Sequence, residues 1–154
     1  MRPELVIVLP PALDLLSSII HDIGKISVPA EILSKPTKLT DSAFSLIKVH
    51  PQTGYDIIKD TELPYPIAHI VLQHHERING SDYPQGLKGD DILLKSKILA
   101  VADVVEAMAY HRPYRVGLGV GAVLEEIEKN RGIFYDTEVA EVCLQLFREK
   151  GFHF

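Results

Sequence analysis

Apolar residues recur at intervals of three and four along most of this chain, and runs that alternate apolar with polar residues are very few. The first spacing places apolar side chains on one face of an α-helix, whereas alternation is typical of a half-buried strand. With 154 residues, 46% of them apolar, the chain is long enough to bury a substantial core in one domain. The sequence therefore predicts an all-α bundle, with a strand conceivable only at residues 4–9.

Capping and helix-stop residues divide this predicted bundle into segments. A helix from about Ala12 ends at Gly24, Thr40 or Asp41 caps another, and the next begins near Pro51. A further helix starts at Pro66 and leads into a glycine-rich loop over residues 77–91. Residues 92–111 are the most apolar segment and predict the central helix, followed by amphipathic helices around 119–130 and 136–150.

Charge and cysteine content exclude several classes of protein. A net charge of −5 is opposite in sign to that of a general DNA binder, so no nucleic-acid partner is expected. The single cysteine, Cys143, cannot form an internal disulfide and indicates a reducing compartment. The apolar stretch from Leu5 to Ile20 is interrupted by Pro10, Pro11 and Asp14, which predicts no membrane span, and the first residues lack a signal-peptide pattern. A cytoplasmic protein is expected.

Several histidines and carboxylates lie at predicted helix ends or inside apolar helices. Each has an ordinary explanation by itself: a His–Asp pair can cap a helix, and a carboxylate among apolar residues can form a buried ion pair. Their convergence on one site would instead indicate a metal centre. The residues in question are His21, Asp22, His50, His74, His75 and Asp103.

Neutral imidazoles combined with carboxylates suit first-row metals such as Fe or Mn, with Zn as an alternative. Two such metals about 3.5–4 Å apart can clamp a phosphoryl group during phosphoester hydrolysis. No cysteine belongs to the candidate set, which excludes a structural zinc finger, and the chain has neither a Walker loop nor a Gly-x-Ser-x-Gly elbow.

A phosphate-handling site also needs cationic side chains. Arg112 and Arg115 flank Pro113-Tyr114 directly after the predicted central helix, and an arginine fork matches phosphate oxygens. Arginines near the helix C-terminal dipole are an equally good explanation. Lys25 follows His21 and Asp22 by about one turn and could reach the same cavity, although a lone lysine is usually solvated.

Five segments form a joint pattern that is more specific than any one of them. They are HDIGK (21–25), HPQTGYDII (50–58), HHERINGSDYPQGLKGDDI (74–92), VADVVEAM (101–108) and RPYR (112–115). Together they resemble the HD-GYP subgroup of the HD superfamily of metal-dependent phosphohydrolases, over about residues 13–150. The chain then divides into an irregular or strand-like segment at 1–12 and an HD-GYP-like domain at 13–154.

The resemblance implies an HD-domain helical bundle with a two- or three-metal centre, usually iron or manganese, that hydrolyses cyclic di-GMP to pGpG or GMP. It implies that the six residues above are metal ligands, with Asp22 as the bridging carboxylate. Lys25 matches the family lysine at the edge of the metal centre and, with Asp22, is expected to act in catalysis. Tyr83, Arg112 and Arg115 match positions that contact the cyclic dinucleotide, as does Lys25. Glu76 is expected to orient the histidines or the loop.

Two departures from the family pattern stand out. The chain reads Ser81-Asp82-Tyr83-Pro84 where the family has Ser-Gly-Tyr-Pro, so we expect weakened or altered substrate recognition. The aspartate also tolerates a positive φ better than most residues, should that position need one. The family carries a Glu and a His ligand on a helix upstream of HDIGK, and residues 1–20 contain no histidine. The expectation is therefore a bundle without that first ligand-bearing helix and a two-metal centre built from six ligands.

Three functions remain open from sequence. The first is a cyclic di-GMP phosphodiesterase in second-messenger signalling. The second is a degenerate module that binds metal, nucleotide or a partner protein without turnover, and the third is a hydrolase of another phosphoester. A diguanylate cyclase, a sensor domain and a second copy of the chain are the candidate protein partners.

Overall fold

The computed structural model describes residues 11–109 and 117–149, and these residues form helices joined by turns and loops, with no strand among them. The predicted all-α bundle is confirmed, while residues 4–9 lie outside the described ranges. Two 3₁₀ helices span Ile23–Ser27 and Gly89–Asp91. The α-helices of the described ranges are α1 (Pro11–Ile20), α2 (Ala30–Leu33), α3 (Asp41–Ile47), α4 (His50–Ile58), α5 (Ile67–Gln73), α6 (Leu94–Ala109), α7 (Gly119–Lys129) and α8 (Thr137–Arg148).

The larger apolar core lies among α6, α7 and α8. Val123 and Ile127, four residues apart on α7, are fully buried against Ala140 of α8 and the apolar face of α6. Helix α6 also contacts α5, which agrees with its predicted central position. The side chain of Asp136 caps α8 by accepting hydrogen bonds from two backbone N–H groups, and Lys97 of α6 lies 3.1 Å from the same carboxylate.

A second core joins α1, α4 and α5 through Ile58, Ile67 and Val71, with Leu16 and Ile20 packed against them. Thr40 caps α3, and Pro51 lies in the first turn of α4, both as predicted. Within the described ranges, every helix is too short or too polar to cross a bilayer.

The first helix ends earlier than predicted. It stops at Ile20 rather than Gly24, and the chain then tightens into the 3₁₀ helix, which packs on α4. A Cβ atom on Gly24 would lie only 1.8 Å from the backbone oxygen of His50. Glycine at this position therefore permits the close approach of two backbones rather than ending α1. This approach brings the HDIGK segment beside the start of α4.

Helix α5 also ends earlier than predicted, at Gln73. Its last side chain is buried, and Gln73 Oε1 accepts a hydrogen bond of 2.9 Å from the backbone N–H of Leu93, just before α6. The two ends of the glycine-rich loop, one after α5 and the other before α6, therefore lie next to each other. His74 and His75 follow α5 directly, where the loop begins.

Candidate metal centre

The starts and ends of three helices meet at one cluster of side chains. Asp22 follows α1, His50 is the first residue of α4, and His74 and His75 follow α5. One ligand atom from each of these four residues lies within 4.8 Å of the others. The side chains of His50 and His74 are fully buried. The structure thus brings together four residues that are separate in sequence.

Three of the imidazole rings are oriented in the same way. The Nδ1 atoms of His21, His50 and His74 lie 2.6, 2.7 and 2.6 Å from the carbonyl oxygen three residues earlier. Because a carbonyl oxygen only accepts, each Nδ1 donates its proton, and a neutral ring keeps a lone pair on Nε2. These backbone contacts fix the tautomer that presents Nε2 as a metal ligand.

The ligand atoms face one another closely. His50 Nε2 lies 3.3 Å from His74 Nε2, and a neutral pair has no proton there to share. Asp22 Oδ1 is buried without a hydrogen bond in the described part of the chain, while the two Nε2 atoms lie 3.3 and 3.9 Å from it. Such an arrangement of lone pairs and negative charge fits a cation, and its donors suit Fe, Mn or Zn.

The surroundings favour the protonation states that ligands need. Burial lowers the pKa of His74 to about 4 and also lowers the pKa of His75, so both rings are neutral at pH 7. Burial alone would raise the pKa of Asp22, but hydrogen bonding and the charge of the Lys25 ammonium hold that pKa well below its usual range. Lys25 Nζ lies 2.5 Å from Asp22 Oδ2. Asp22 is therefore a carboxylate.

The other two predicted ligands lie beside this cluster. His21 Nε2 is 3.6 Å from Asp22 Oδ2 and 3.7 Å from Asp103 Oδ1, so the histidine connects the two carboxylates. Burial opposes a charge on His21, but the neighbouring carboxylates of Asp103 and Asp22 raise its pKa overall. Asp103 is half-buried rather than enclosed by apolar side chains. All six predicted ligands are thus neighbours, and their roles in metal binding stay predictions.

Glu76 anchors the glycine-rich loop against the cluster. Glu76 is 2% exposed, and its carboxylate accepts hydrogen bonds from the backbone N–H groups of Gln85, at 2.7 Å, and Leu87, at 3.0 Å. Burial raises the pKa of Glu76, and these hydrogen bonds oppose that shift. The loop also returns Tyr83 onto His75, with ring centres 4.8 Å apart and planes at 25°. Glu76 therefore orients the loop, one of its two predicted roles.

Asp82, which replaces the family glycine, has an ordinary backbone conformation. Among the described residues only glycines have positive φ values, so this position does not require the left-handed region. Asp82 Oδ1 instead accepts a hydrogen bond of 3.0 Å from the backbone N–H of Tyr83. Burial, together with the charge of Asp82, raises the pKa of the Tyr83 phenol. What the aspartate adds here is negative charge rather than strain.

Two residues that were predicted to contact the substrate are not described by the structure, and two regions near the site were not predicted. Arg112 and Arg115 lie outside the described residues. Sequence reasoning missed Glu106, one turn after Asp103 on α6, although that spacing was a usable signal. An open groove beside the cluster is lined by Ser18, His21, Asp22, Leu99, Ala102, Asp103 and Glu106. Sequence reasoning also missed Phe44 and Lys48, which are four residues apart just before His50 and lie near Tyr83.

Comparison with known proteins identifies the family. A sequence profile of the HD domain matches residues 10–139. The chain is 38% identical over 128 residues to the cyclic di-GMP phosphodiesterase response regulator RpfG of Xanthomonas campestris pv. campestris, covering 82% of this chain and 34% of that protein. It is 42% identical over 132 residues to a cyclic di-GMP phosphodiesterase of Thermotoga maritima, covering 84% of this chain and 36% of that protein.

A further relative is named for a different cyclic dinucleotide. The 3′3′-cGAMP-specific phosphodiesterase 2 of Vibrio cholerae is 32% identical over 135 residues, which cover 86% of this chain and 26% of that protein. This chain thus spans about a third or less of the length of these relatives.

The fold is also found among solved structures. Bd1817, an HDG"Y"P protein from Bdellovibrio bacteriovorus, superposes with a TM-score of 0.68 at 18% identity, covering 92% of this chain and 46% of that chain. The likeness confirms the helical fold. The matching profile and these relatives identify the chain as a member of the HD-domain family, and the resemblance to the HD-GYP subgroup is confirmed.

Proposed function

We propose that this chain is a metal-dependent phosphodiesterase that hydrolyses cyclic di-GMP to pGpG or GMP. The observation that carries the proposal is the cluster of Asp22, His50, His74 and His75, whose ligand atoms face one another around two fully buried imidazoles. Two relatives named as cyclic di-GMP phosphodiesterases, at 38% and 42% identity, support the same substrate.

Two divalent metals are expected at this site, with Fe or Mn preferred and Zn as an alternative. The residues that would hold them are His21, Asp22, His50, His74, His75 and Asp103. When bound, such metals supply Lewis acidity toward the phosphoryl oxygens and generate a nucleophile from water near neutral pH. The backbone carbonyls that accept from the Nδ1 atoms keep His21, His50 and His74 aimed at the site.

The remaining side chains prepare the site for an anionic substrate. Lys25 pairs its ammonium with Asp22 and stays a predicted contact to a phosphate oxygen of the substrate. Tyr83 covers one face of His75 and limits access of water from that side. Arg112 and Arg115 stay predicted contacts to the dinucleotide.

One observation favours a second candidate, a module that binds metal or nucleotide without turnover. Asp82 places a negative charge next to Tyr83, where an anionic substrate would approach, and this charge opposes binding. A third candidate is an HD phosphohydrolase of another phosphoester, which the relative named for 3′3′-cGAMP supports. Parallel assays on cyclic di-GMP and 3′3′-cGAMP distinguish these alternatives.

The test is anaerobic incubation of the chain, loaded with Mn(II) or Fe(II), with cyclic di-GMP and in parallel with 3′3′-cGAMP. Chromatography follows the linear and mononucleotide products, and Asp22→Ala serves as the inactive comparison. We expect pGpG or GMP from the parent and none from the variant. A folded, metal-loaded parent that binds cyclic di-GMP without product would contradict turnover and favour the binding module.

A further inference from the structure

A lysine next to the candidate metal centre is positioned by two aromatic rings. Lys48 immediately follows α3, and its Nζ atom lies over the ring of Phe44, 4.9 Å from the centre, and over the ring of Tyr83, 5.5 Å from the centre. The two rings contact each other edge to face, with centres 6.4 Å apart and planes at 89°. Both contacts lie within the range of cation–π interactions, which orient an ammonium group without neutralising it.

This ammonium has no acidic partner among the residues that the structure describes. Lys25 and Lys59, by contrast, lie 2.5 and 2.9 Å from the carboxylates of Asp22 and Asp56. Lys48 is exposed, as is 42% of Phe44. An oriented and unpaired ammonium at the surface is available to an anion.

Only one ring separates Lys48 from the cluster of metal-ligand candidates. Tyr83 contacts Lys48 with its ring and stacks on His75, with ring centres 4.8 Å apart. Glu76 holds the loop that carries Tyr83. The position of the ammonium is therefore tied to the position of His75 through packed side chains.

We propose that Lys48 binds the phosphate of the cyclic dinucleotide that is not being cleaved. This inference rests on the proposed function, because a cyclic dinucleotide carries two phosphodiesters and the metal centre can take only one at a time. Phe44 and Tyr83 act as positioning residues that aim the ammonium. The pair formed by Lys48 and the second phosphate selects substrates with two phosphates over simple phosphodiesters.

The test compares variants on two substrates. Lys48→Gln should raise KM for cyclic di-GMP about tenfold or more, since a charge-assisted contact is lost, with kcat and metal content unchanged. Hydrolysis of bis(p-nitrophenyl) phosphate, which has a single phosphate, should not change. Lys48→Arg should restore most of the affinity, and Phe44→Leu should raise KM by a smaller factor because it removes the ring below the ammonium.

Lys59→Gln is the matched control, since Lys59 also lies over a tyrosine ring, at 5.8 Å from its centre, but pairs with Asp56. It should leave both substrates unaffected. An unchanged KM for cyclic di-GMP in Lys48→Gln, or an equal loss on both substrates, would overturn the proposal. If the parent hydrolyses neither substrate, the proposed function fails instead. Calorimetric binding of cyclic di-GMP to the Mn(II)-loaded chain then decides, with equal affinity of parent and Lys48→Gln overturning the role of Lys48.

Discussion

The Nε2 atoms of His50 and His74 lie 3.3 Å apart, while both rings donate their Nδ1 protons to backbone carbonyls. Two lone pairs thus face each other in the interior, beside the buried Oδ1 atom of Asp22. Without a cation this arrangement is repulsive, and a bound metal relieves the repulsion. Metal binding is therefore expected to contribute to the stability of the fold as well as to chemistry.

Stabilisation by metal should depend on Asp22. At a free Mn(II) concentration one hundred times the dissociation constant, binding should raise the free energy of unfolding by about 2.7 kcal/mol. In Asp22→Asn most of this gain should disappear, because the neutral amide no longer offsets the charge of the metal. Urea unfolding with and without Mn(II), together with the metal content after gel filtration, measures both quantities.

Asp56→Asn is the control for that measurement, since Asp56 is an exposed acid of α4 that pairs with Lys59. It should keep the full gain from Mn(II). Equal metal stabilisation of Asp22→Asn and the parent would show that Asp22 is not a ligand.

The metal-free chain should lose stability in acid because of His74. Burial lowers the pKa of His74 in the folded chain from its ordinary 6.5 to about 4, so the unfolded chain binds a proton first as the pH falls. The contribution is fully present above pH 6.5 and is lost as the pH falls toward 4. Between pH 7 and pH 4 the loss should be about 3 kcal/mol from this group.

Urea unfolding of the metal-free chain across this pH range measures the slope. His74→Asn should flatten it, whereas His69→Gln, at a histidine inside α5 that contacts Tyr55 and Tyr65 instead, should not. If the slope of His74→Asn equals that of the parent, His74 is not the titrating group.

The helices and the site residues were predictable to different degrees. Periodicity and capping placed α3, α4, α6, α7 and α8 within a few residues, because their apolar faces and cap residues are local signals. The ends of α1 and α5 were misplaced, since tertiary packing decides them: a 3₁₀ helix packed on α4 in one case and a turn into the loop in the other.

Convergence of the six candidate ligands followed from the motifs jointly, not from any single spacing. The contact between Lys48 and Tyr83 was not predictable, because it joins the end of α3 to a loop thirty-five positions later in sequence. Its geometry depends on how Glu76 holds that loop, and no local pattern encodes this.

Gly24 offers a test of the packing that assembles the site. In Gly24→Ala the new methyl group would meet the backbone of His50 and Gly54, which cannot move independently of α4. Overpacking against backbone should cost about 3 kcal/mol of the free energy of unfolding and should weaken metal binding. Chemical denaturation and metal titration report the two effects.

Gly121→Ala is the matched control, because Gly121 lies in α7 with nothing within 4 Å of the added Cβ. This change should raise the free energy of unfolding by about 0.5 kcal/mol through helix propensity. Similar effects from the two substitutions would contradict the close approach of the HDIGK segment to α4.

Glu76→Gln should loosen the loop without removing any candidate ligand. The carboxylate accepts from two backbone N–H groups, whereas a glutamine has one carbonyl oxygen and must turn its NH₂ group toward the second donor. An unsatisfied buried donor should lower the free energy of unfolding by about 1–3 kcal/mol. Limited proteolysis within residues 77–91 should become faster, and the metal content should stay near that of the parent. The exposed Glu125→Gln change on α7 provides the control, and unchanged proteolysis in Glu76→Gln would mean that other contacts hold the loop.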